Sequence, residues 1–413
     1  MDSNLALKPD RAFRRSSPVR LLLAAPLVAT LGLAAFMSLK IAYADYLYRE
    51  GSPSAVARAR RLLQINAAFF RHDPRDRAAL EHAVARNPRD SSGWINLALL
   101  VEIERDIPRA ERLLLEAARI DNTYEPRWTL ANFYFRQGDQ DNFWHWARKA
   151  AEMAYQDQTP LFQLCWRMSR DPATILTRAI PDRPAMLGQY LNYLLVQGKF
   201  AESEPVAERL IAATTSEGLP LLVSYCDHLI RAGRIAGALK AWNTLCARGR
   251  LPYQALEPRQ ARSLTNGDFA VSPLSAGFDW RLQLPDGVSG GRISSMEAFR
   301  FSFSGSQPER CQLLAQVLPV EASRGYRLVY DFRAEGIPRP SGLRWYVSDL
   351  TSRKELSATP LESSGDSWSR AALDFDAPPG GRGILLVLEY QRAPGTTRIE
   401  GDLWLRRLSL AFR

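Results

Sequence analysis

The chain has 413 residues, which is enough for two or three folded domains. Its hydrophobic content of 46% is ordinary for globular protein, and its net charge of +10 comes mostly from arginine, since only six of the 54 basic residues are lysine. The arginines form no dense run beyond the N-terminal tail, so the composition does not indicate a nucleic-acid-binding protein. Two interpretations of the arginine content stay open. The arginines bind an acidic partner, or they reflect the base composition of the genome and lie on solvated surfaces.

The N-terminus combines a basic tail with a long apolar run. Residues 1–20 carry five basic and two acidic side chains, and we predict a disordered cytoplasmic tail there. Leu21–Leu39 follows without a charge, and a helix of this length spans roughly 28 Å, close to the hydrocarbon core of a bilayer. Positive charge before a first apolar segment stays in the cytoplasm. Residues 21–43 therefore predict a single transmembrane signal anchor in the inner membrane, with the bulk of the chain extracytoplasmic.

A cleaved signal peptide is the alternative to this anchor. Ala42-Tyr43-Ala44 has the small-x-small form of a cleavage site. The apolar run is longer than the usual core of a signal peptide, and Lys40 interrupts it before the site, which favours the anchor. Cleavage after Ala44 stays open. A buried core helix is a less favoured third alternative, because basic residues flank the run closely.

Residues 45–258 have the spacing of amphipathic helices separated by turn signals such as Gly138-Asp139 and Gly233-Arg234. The segments also repeat at intervals of thirty-four or thirty-five residues. The repeated positions are Trp94, Leu97 and Ala98 against Trp128, Ala131 and Asn132, then Tyr190, Leu194 and Gly198 against Tyr225, Leu229 and Gly233. This period and these motifs resemble the tetratricopeptide repeat (TPR).

The resemblance to TPR proteins implies a solenoid of stacked helical hairpins, with a concave face lined by the first helix of each pair. It fits residues 92–155 well and 184–248 less closely, while prolines between these segments break the period. Residues 53–86 are predicted to form one degenerate hairpin. The predicted protein-binding residues of the concave face are Asn96, Asn132, Arg136 and Asn192. A structural spacer without a partner is the alternative.

The four cysteines, Cys165, Cys226, Cys246 and Cys311, include no CxxC pair, so no zinc site is predicted. Cys226 and Cys246 fall on the two helices of one predicted hairpin. A disulfide between them is an open alternative in an oxidising compartment. Four buried apolar residues are the favoured interpretation.

The pattern changes after Pro258 from helical spacing to alternation of every second residue, as at Phe299, Phe301 and Phe303. Turn residues arrive every eight to twelve positions. Residues 263–413 therefore predict an antiparallel β-sandwich, and this length suits a jelly roll. The predicted fold class is multidomain, with one transmembrane helix, an α-helical solenoid and an all-β domain.

Short motifs occur in order along the β segment. They are Asn266-Gly267-Asp268-Phe269, Phe278-Asp279-Trp280, Gly325-Tyr326-Arg327-Leu328 and Gly401-Asp402-Leu403-Trp404-Leu405. Their order resembles the carbohydrate-binding-module and galactose-binding-like jelly rolls. Members of that group often carry an acidic residue after the first-strand Phe to help hold calcium, but this position is Ala270. Because Asp402 alone is a poor ligand set for a hard cation, no metal site is predicted.

The resemblance implies that aromatic rings stack on sugars. Trp345 shares a face with Leu343 and Val347, which predicts a core position, whereas Tyr346 points the other way. Trp368 follows a predicted turn. Tyr346 and Trp368 are therefore the predicted glycan-binding residues. The alternative is a sandwich that packs only against the solenoid or another protein.

Catalytic motifs are missing from the sequence. The four histidines lack HExxH spacing, and there is no nucleophile elbow, P-loop or dinucleotide fingerprint. Carboxylates such as Asp268, Asp331, Asp349 and Glu389 are not paired by any motif, so the prediction is a non-enzyme without a cofactor. The predicted role is a membrane-anchored scaffold of the bacterial envelope that recruits protein and polysaccharide, as in exopolysaccharide or cell-wall assembly. A protein adaptor without sugar binding and a glycan-active enzyme are the alternatives.

Overall fold

The computed structural model describes residues 18–50, 52–62, 76–153, 155–213, 218–362 and 367–413. Most of the predicted basic tail lies outside these residues, as does part of the predicted hairpin at 53–86. The chain divides into two compact units, residues 1–153 and 154–413, and each is described by itself.

The first unit begins with a 33-residue helix, α1 (Pro18–Glu50). At 1.5 Å per residue the helix is about 50 Å long, which exceeds the thickness of the hydrocarbon core. Within it, Val28–Leu47 is long and apolar enough to cross a membrane by length and composition. Large apolar side chains along this segment, such as Leu31 and Leu39, are exposed. The helix therefore presents to its surroundings an apolar surface that suits lipid better than water.

The C-terminal end of α1 packs on the next helix, α2 (Pro53–Leu62). Ala44 and Leu47 of α1 form a small buried cluster with Ala55 and Ala59 of α2. The small alanine side chains let the two helices approach closely. The chain thus turns back on itself directly after the apolar segment.

The helical repeats form antiparallel hairpins in both units. In the first unit the helices are α3 (Arg77–Arg86), α4 (Ser91–Ile103), α5 (Ile107–Ile120), α6 (Tyr124–Gln137) and α7 (Gln140–Glu152). In the second they are α8 (Thr159–Met168), α9 (Pro172–Arg178), α10 (Pro184–Val196), α11 (Phe200–Ala213), α12 (Leu219–Arg231) and α13 (Ile235–Ala247). The closely packed pairs are α4 with α5, α6 with α7, α10 with α11 and α12 with α13. The predicted helical-repeat architecture is confirmed.

Turn chemistry explains where these helices begin and end. Gly138 closes α6 in the left-handed conformation, with φ of 74°, and Asp139 then caps α7 by accepting the Asn142 N–H at 3.1 Å. Pro160 and Pro172 stand in the first turns of α8 and α9, where proline fits. Because α9 has only seven residues, the repeat is irregular where the sequence predicts a break.

The sandwich consists of two five-stranded antiparallel sheets, ordered β1-β4-β9-β6-β7 and β2-β3-β10-β5-β8. The strands are β1 (Arg281–Leu282), β2 (Val288–Ile293), β3 (Ala298–Ser304), β4 (Arg310–Pro319), β5 (Gly325–Glu335), β6 (Leu343–Asp349), β7 (Glu355–Pro360), β8 (Ser369–Asp376), β9 (Gly383–Gln391) and β10 (Glu400–Phe412). Most neighbouring strands within each sheet are far apart in sequence. The predicted antiparallel sandwich is confirmed.

The core lies between the two sheets and is built from every second residue of each strand. Phe299, Phe301 and Phe303 all belong to it, as the alternation predicts. Trp345 is fully buried there, and its ring lies 6.1 Å from that of Trp280. Trp345 is therefore a core residue, which leaves Tyr346 on the outside of its strand.

The last helical hairpin packs against the sandwich within the second unit. Trp242 of α13 is fully buried and packs edge-to-face on Phe278, with ring centroids 5.9 Å apart. A Cβ added to Gly383 of β9 would lie 3.3 Å from Ile235 of α13, so helix and sheet are in close contact. Val387 is also buried, although it does not belong to the core between the sheets.

All four cysteines are free thiols in this structure, with Cys226 and Cys246 buried. The burial of Cys165 and Cys226 raises the pKa of each thiol well above its usual value. A protonated, buried thiol is a poor nucleophile. These positions fit the interpretation of cysteine as a small core residue.

Candidate functional site

The outer surface of the sheet β2-β3-β10-β5-β8 is rich in arginine. Alternation along β10 sends Leu403 and Leu405 into the core, so Asp402, Trp404 and Arg406 point outward. The neighbouring strands add outward-pointing residues of the same kinds. We call this surface the arginine–tryptophan face, and its members are Arg300, Ser302, Asp331, Arg333, Arg370, Asp402, Trp404 and Arg406.

Trp404 occupies the centre of the face. It pairs in register with Arg300 on one neighbouring strand and with Arg333 on the other. The two guanidinium carbons lie 5.2 and 5.0 Å from its ring centroid, within the range of a cation–π interaction. These side chains cover the indole, so that it is buried although it points away from the core.

Asp402 neutralises one of these arginines. Its carboxylate accepts hydrogen bonds from Arg300 Nη2 at 2.7 Å and from the Ser302 hydroxyl. Burial raises the pKa of Asp402, but the bonds from Arg300 and Ser302 outweigh burial, and the pKa lies below its usual value. Asp402 is therefore an anion whose two oxygens are engaged by donors of the face.

Asp331 collects three guanidinium groups around one buried carboxylate. Arg370 Nε donates to Asp331 Oδ1 at 2.9 Å. Arg406 Nε and Arg407 Nη1 lie 3.6 and 3.8 Å from Oδ2, too far for good hydrogen bonds. Positive charge thus exceeds negative charge at this end of the face.

Trp368, predicted to bind glycan, borders the face. It lies just before β8 and is half-buried. The guanidinium carbon of Arg406 lies 3.8 Å from its ring centroid, so one side of the ring is already in contact with a cation. The predicted turn at Gly365-Asp366 lies outside the described residues.

Tyr346, the other predicted glycan residue, lies on the opposite sheet. It pairs in register with Val387 on β9, and the guanidinium of Arg344 lies 5.1 Å from its ring centroid. Arg344 is in turn held by Glu389, with Nε 2.7 Å from Oε1. The structure therefore does not bring Tyr346 and Trp368 together, and they belong to two separate surfaces.

Three of the predicted protein-binding residues lie in the first unit. Asn96 is exposed on α4. Asn132 is half-buried on α6, and its amide donates to the Trp128 carbonyl at 2.9 Å. Arg136 donates two hydrogen bonds, of 2.8 and 2.7 Å, to Glu102 on α4. Arg136 therefore links the first helices of two successive hairpins, and Asn96 is the freest of the three to meet a partner.

The fourth predicted residue, Asn192, is exposed on α10 in the second unit. The equivalent position of the next repeat, thirty-five residues later, is Asp227 on α12. Asp227 Oδ1 accepts the Gly277 backbone N–H at 2.9 Å and Arg281 Nη2 at 2.6 Å. In the last repeat, the residue equivalent to Asn192 is thus already bound to residues of the chain's own sandwich. Sequence reasoning missed Asp227, although the thirty-five-residue offset from Asn192 points to it.

Trp404, Arg300, Arg333 and Arg370 were also missed by sequence reasoning. The available signal for them was alternation. On β10, for example, Asp402, Trp404 and Arg406 alternate with core residues. That alternation places residues on an outer face but does not say which strands are neighbours.

The carboxylates considered for catalysis have other partners. Glu389 pairs with Arg310 and Arg344 on the opposite sheet from Asp331. Asp349 accepts the backbone N–H groups of Thr351 and Ser352 in a turn. Among the described residues, no three His, Cys, Asp or Glu side chains are grouped so as to hold a metal ion.

Comparison with known proteins gives structural likeness only. No protein-family model matches the chain, and no curated protein matches it. Similar solved structures include carbohydrate-binding modules, such as CBM4, which is 10% identical with a TM-score of 0.30 and covers 37% of this chain and 100% of its own. They also include the TPR protein YrrB, described as having an unusual peptide-binding site (14% identical, TM-score 0.24, 42% of this chain and 93% of its own).

Another TPR-like neighbour is PilF of Pseudomonas aeruginosa, which is 12% identical with a TM-score of 0.22 and covers 51% of this chain and 91% of its own. The chain thus resembles TPR proteins in its helical part and carbohydrate-binding modules in its sandwich. At these identities and TM-scores we base the functional proposal on the chain's own residues.

Proposed function

We propose that this chain is a membrane-tethered, non-enzymatic binding protein of the bacterial envelope. Its sandwich binds polysaccharide, and its helical repeats bind a protein partner. Helix α1 is a single anchor in the inner membrane, with the N-terminus in the cytoplasm and the bulk of the chain outside. Two features support the anchor: the exposed apolar side chains along Val28–Leu47, and the packing of Ala44 on α2, which cleavage after Ala44 would remove.

The arginine–tryptophan face is the observation that carries the glycan-binding proposal. Polysaccharides present many oxygen acceptors, and guanidinium groups are donors only. The face offers four arginines from four strands, and Arg370, with 66% of its side chain exposed, is open to solvent. A broad, donor-rich sheet surface of this kind fits an extended chain of sugars better than a small enclosed ligand.

The geometry around Asp227 supports protein binding by the repeats. There the repeat face engages the main-chain N–H of Gly277 in a loop and the basic side chain of Arg281 on β1. Asn192 stands at the same position of the preceding repeat and is exposed. Its amide both donates and accepts, so it suits hydrogen bonds with the backbone of an extended partner segment.

The glycan proposal is tested with the full-length protein in nanodiscs on an array of envelope polysaccharides. We expect binding that is lost in Arg300→Gln/Arg333→Gln and kept in Tyr346→Ala. Loss only in Tyr346→Ala would place the site on the opposite sheet. No binding to any polysaccharide would favour the protein adaptor.

The protein-binding proposal is tested by photo-crosslinking in intact membranes. A photoreactive amino acid at Asn192 should give a discrete crosslinked product. The control position is Ala201, which is exposed on the second helix of the same hairpin. Equal products from both positions, or none from Asn192, would contradict the assignment.

A further inference from the structure

The charge around Asp331 is incompletely compensated. Three guanidinium groups face one carboxylate, and only that of Arg370 is within hydrogen-bond distance. Arg406 Nε is buried without a hydrogen-bond acceptor among the described residues. A partly desolvated cation without a full partner favours a second anion nearby.

A bulge in β10 brings two consecutive arginines to the same carboxylate. In a regular strand Arg406 and Arg407 would point to opposite faces. The register of β10 against β5 shifts between Arg406 and Ser409, and Arg407 has a φ of 52°. The bulge re-aims the Arg407 side chain toward Asp331, as bulges commonly do.

Two pairs of arginines lie side by side across the sheet. Arg300 and Arg333 lie on either side of Trp404, and Arg406 and Arg370 lie on either side of Asp331. Because neighbouring strands are about 4.8 Å apart, the backbones within each pair of arginines are roughly 10 Å apart. The four arginines thus lie on one face of the sheet, which fits a ligand that carries several anions along a chain.

Trp404, the ring within the face, is already covered, and one side of Trp368 at its border is covered as well. Trp404 is buried beneath Arg300 and Arg333, and Arg406 lies against Trp368. Single-stranded nucleic acids are normally bound by stacking bases on accessible aromatic rings. A surface that offers guanidinium groups more than open aromatic rings selects its ligands by their negative charge.

We propose, building on the glycan-binding function above, that Arg370, Arg406 and Arg407 form an anion subsite and that the polysaccharide is acidic. Its carboxylate or sulfate groups take the place of the second anion beside Asp331. Arg300, which Asp402 already engages, and Arg333, whose Nη2 donates to Glu335 at 2.8 Å, flank Trp404 beside this subsite.

The test uses full-length protein in nanodiscs of neutral lipid and a matched pair of ligands. Alginate, a polyuronate, is compared with the same polymer after reduction of its carboxyl groups, and dextran sulfate is compared with dextran. The face variant is Arg370→Gln/Arg407→Gln. The control is Arg327→Gln, which removes an arginine of the same sheet that pairs one-to-one with Asp374 at 2.7 Å.

We expect alginate to bind, the reduced polymer to bind far more weakly, and affinity to fall as salt rises. The face variant should weaken alginate binding by about tenfold, because two charge contacts are lost, and the control by less than about twofold. Tighter binding of dextran sulfate with the same arginine dependence would support the subsite and identify sulfate as its anion.

Equal binding of alginate and its reduced form would overturn the acidic-glycan inference while leaving glycan binding intact. If no polysaccharide binds, the proposed glycan-binding function itself is wrong. Tighter binding of single-stranded DNA, or of nanodiscs with anionic lipid, would assign the face to another polyanion and contradict the inference. If the face variant fails to fold by circular dichroism, the carboxyl-reduction comparison on wild-type protein still decides, because it changes only the ligand.

Discussion

Asp279 shows how a single buried carboxylate stabilises the start of the sandwich. Its Oδ2 accepts hydrogen bonds from the Tyr253 hydroxyl at 2.8 Å and from the Leu274 N–H at 2.7 Å. Replacement by alanine leaves two partly buried donors without this acceptor. We expect Asp279→Ala to lower the free energy of unfolding by about 1–3 kcal/mol, measured by urea denaturation. The matched control is Asp279→Asn, which should lose less because the asparagine amide oxygen is a neutral acceptor at the same place.

The pH dependence of stability gives a second test of Asp279. Burial raises its pKa, although its hydrogen bonds oppose that rise. A carboxyl whose pKa is raised by folding binds more protons in the folded state, so its contribution to stability falls as pH rises from the unfolded pKa through the folded one. Asp279→Asn should remove this fall, which begins near the ordinary carboxyl pKa of about 4. An unchanged profile would show that Asp279 titrates as an ordinary carboxyl.

At the residue scale, the sequence predicted which side chains are buried better than it predicted which side chains contact each other. Trp345 was assigned to the core from alternation, because period two is a local property of a strand. Arg136 was predicted as a binding residue, but the structure engages it with Glu102 on another helix. An ion pair between residues distant in sequence has no local signal.

At the level of elements, two glycines with positive φ allow the cost of backbone strain to be told apart from the cost of a steric clash. Gly233 ends α12 with φ of 72° and has open space around its Cα, whereas Gly277 has φ of 62° and lies against the ring of Trp242. We expect Gly233→Ala to cost about 1 kcal/mol from strain alone. Gly277→Ala should cost a further ~1–3 kcal/mol, the usual cost of overpacking.

A double-mutant cycle tests this junction between hairpin and sandwich. If the indole of Trp242 causes the extra cost, Gly277→Ala should be less destabilising in a Trp242→Leu background. Thermal unfolding of the four proteins supplies the cycle. Strict additivity would show that the helix and the loop do not share a packing constraint.

At the element scale the helical repeats and the strands could be predicted, but the proposed binding face could not. Turn glycines and helical periodicity mark each hairpin because they act over a few residues. The arginine–tryptophan face joins Arg300, Arg333 and Trp404, which lie on three separated strands. Their meeting depends on the strand order β3-β10-β5, and no sequence pattern encodes that order.

For the whole molecule, the proposed membrane attachment depends on α1. Full-length protein should stay in the membrane fraction after alkaline carbonate extraction. Leu31→Arg/Leu33→Arg should release it or prevent insertion, because each charge in a spanning helix costs about 2.5–3.5 kcal/mol. Ser54→Arg, just outside the span, is the control. A mature N-terminus at Asp45, found by terminal sequencing, would contradict the anchor.

The central claim is that polysaccharide binds the sheet containing Trp404 and not the opposite sheet. Arginine labelling with phenylglyoxal, read by mass spectrometry with and without bound polysaccharide, tests it directly on the full-length protein. Arg370 on β8 and Arg310 on β4 form a matched pair, since their side chains are 66% and 64% exposed on opposite sheets. We expect polysaccharide to protect Arg370 and Arg407 while Arg310 is labelled as before. Protection of Arg310 with continued labelling of Arg370 would contradict the account.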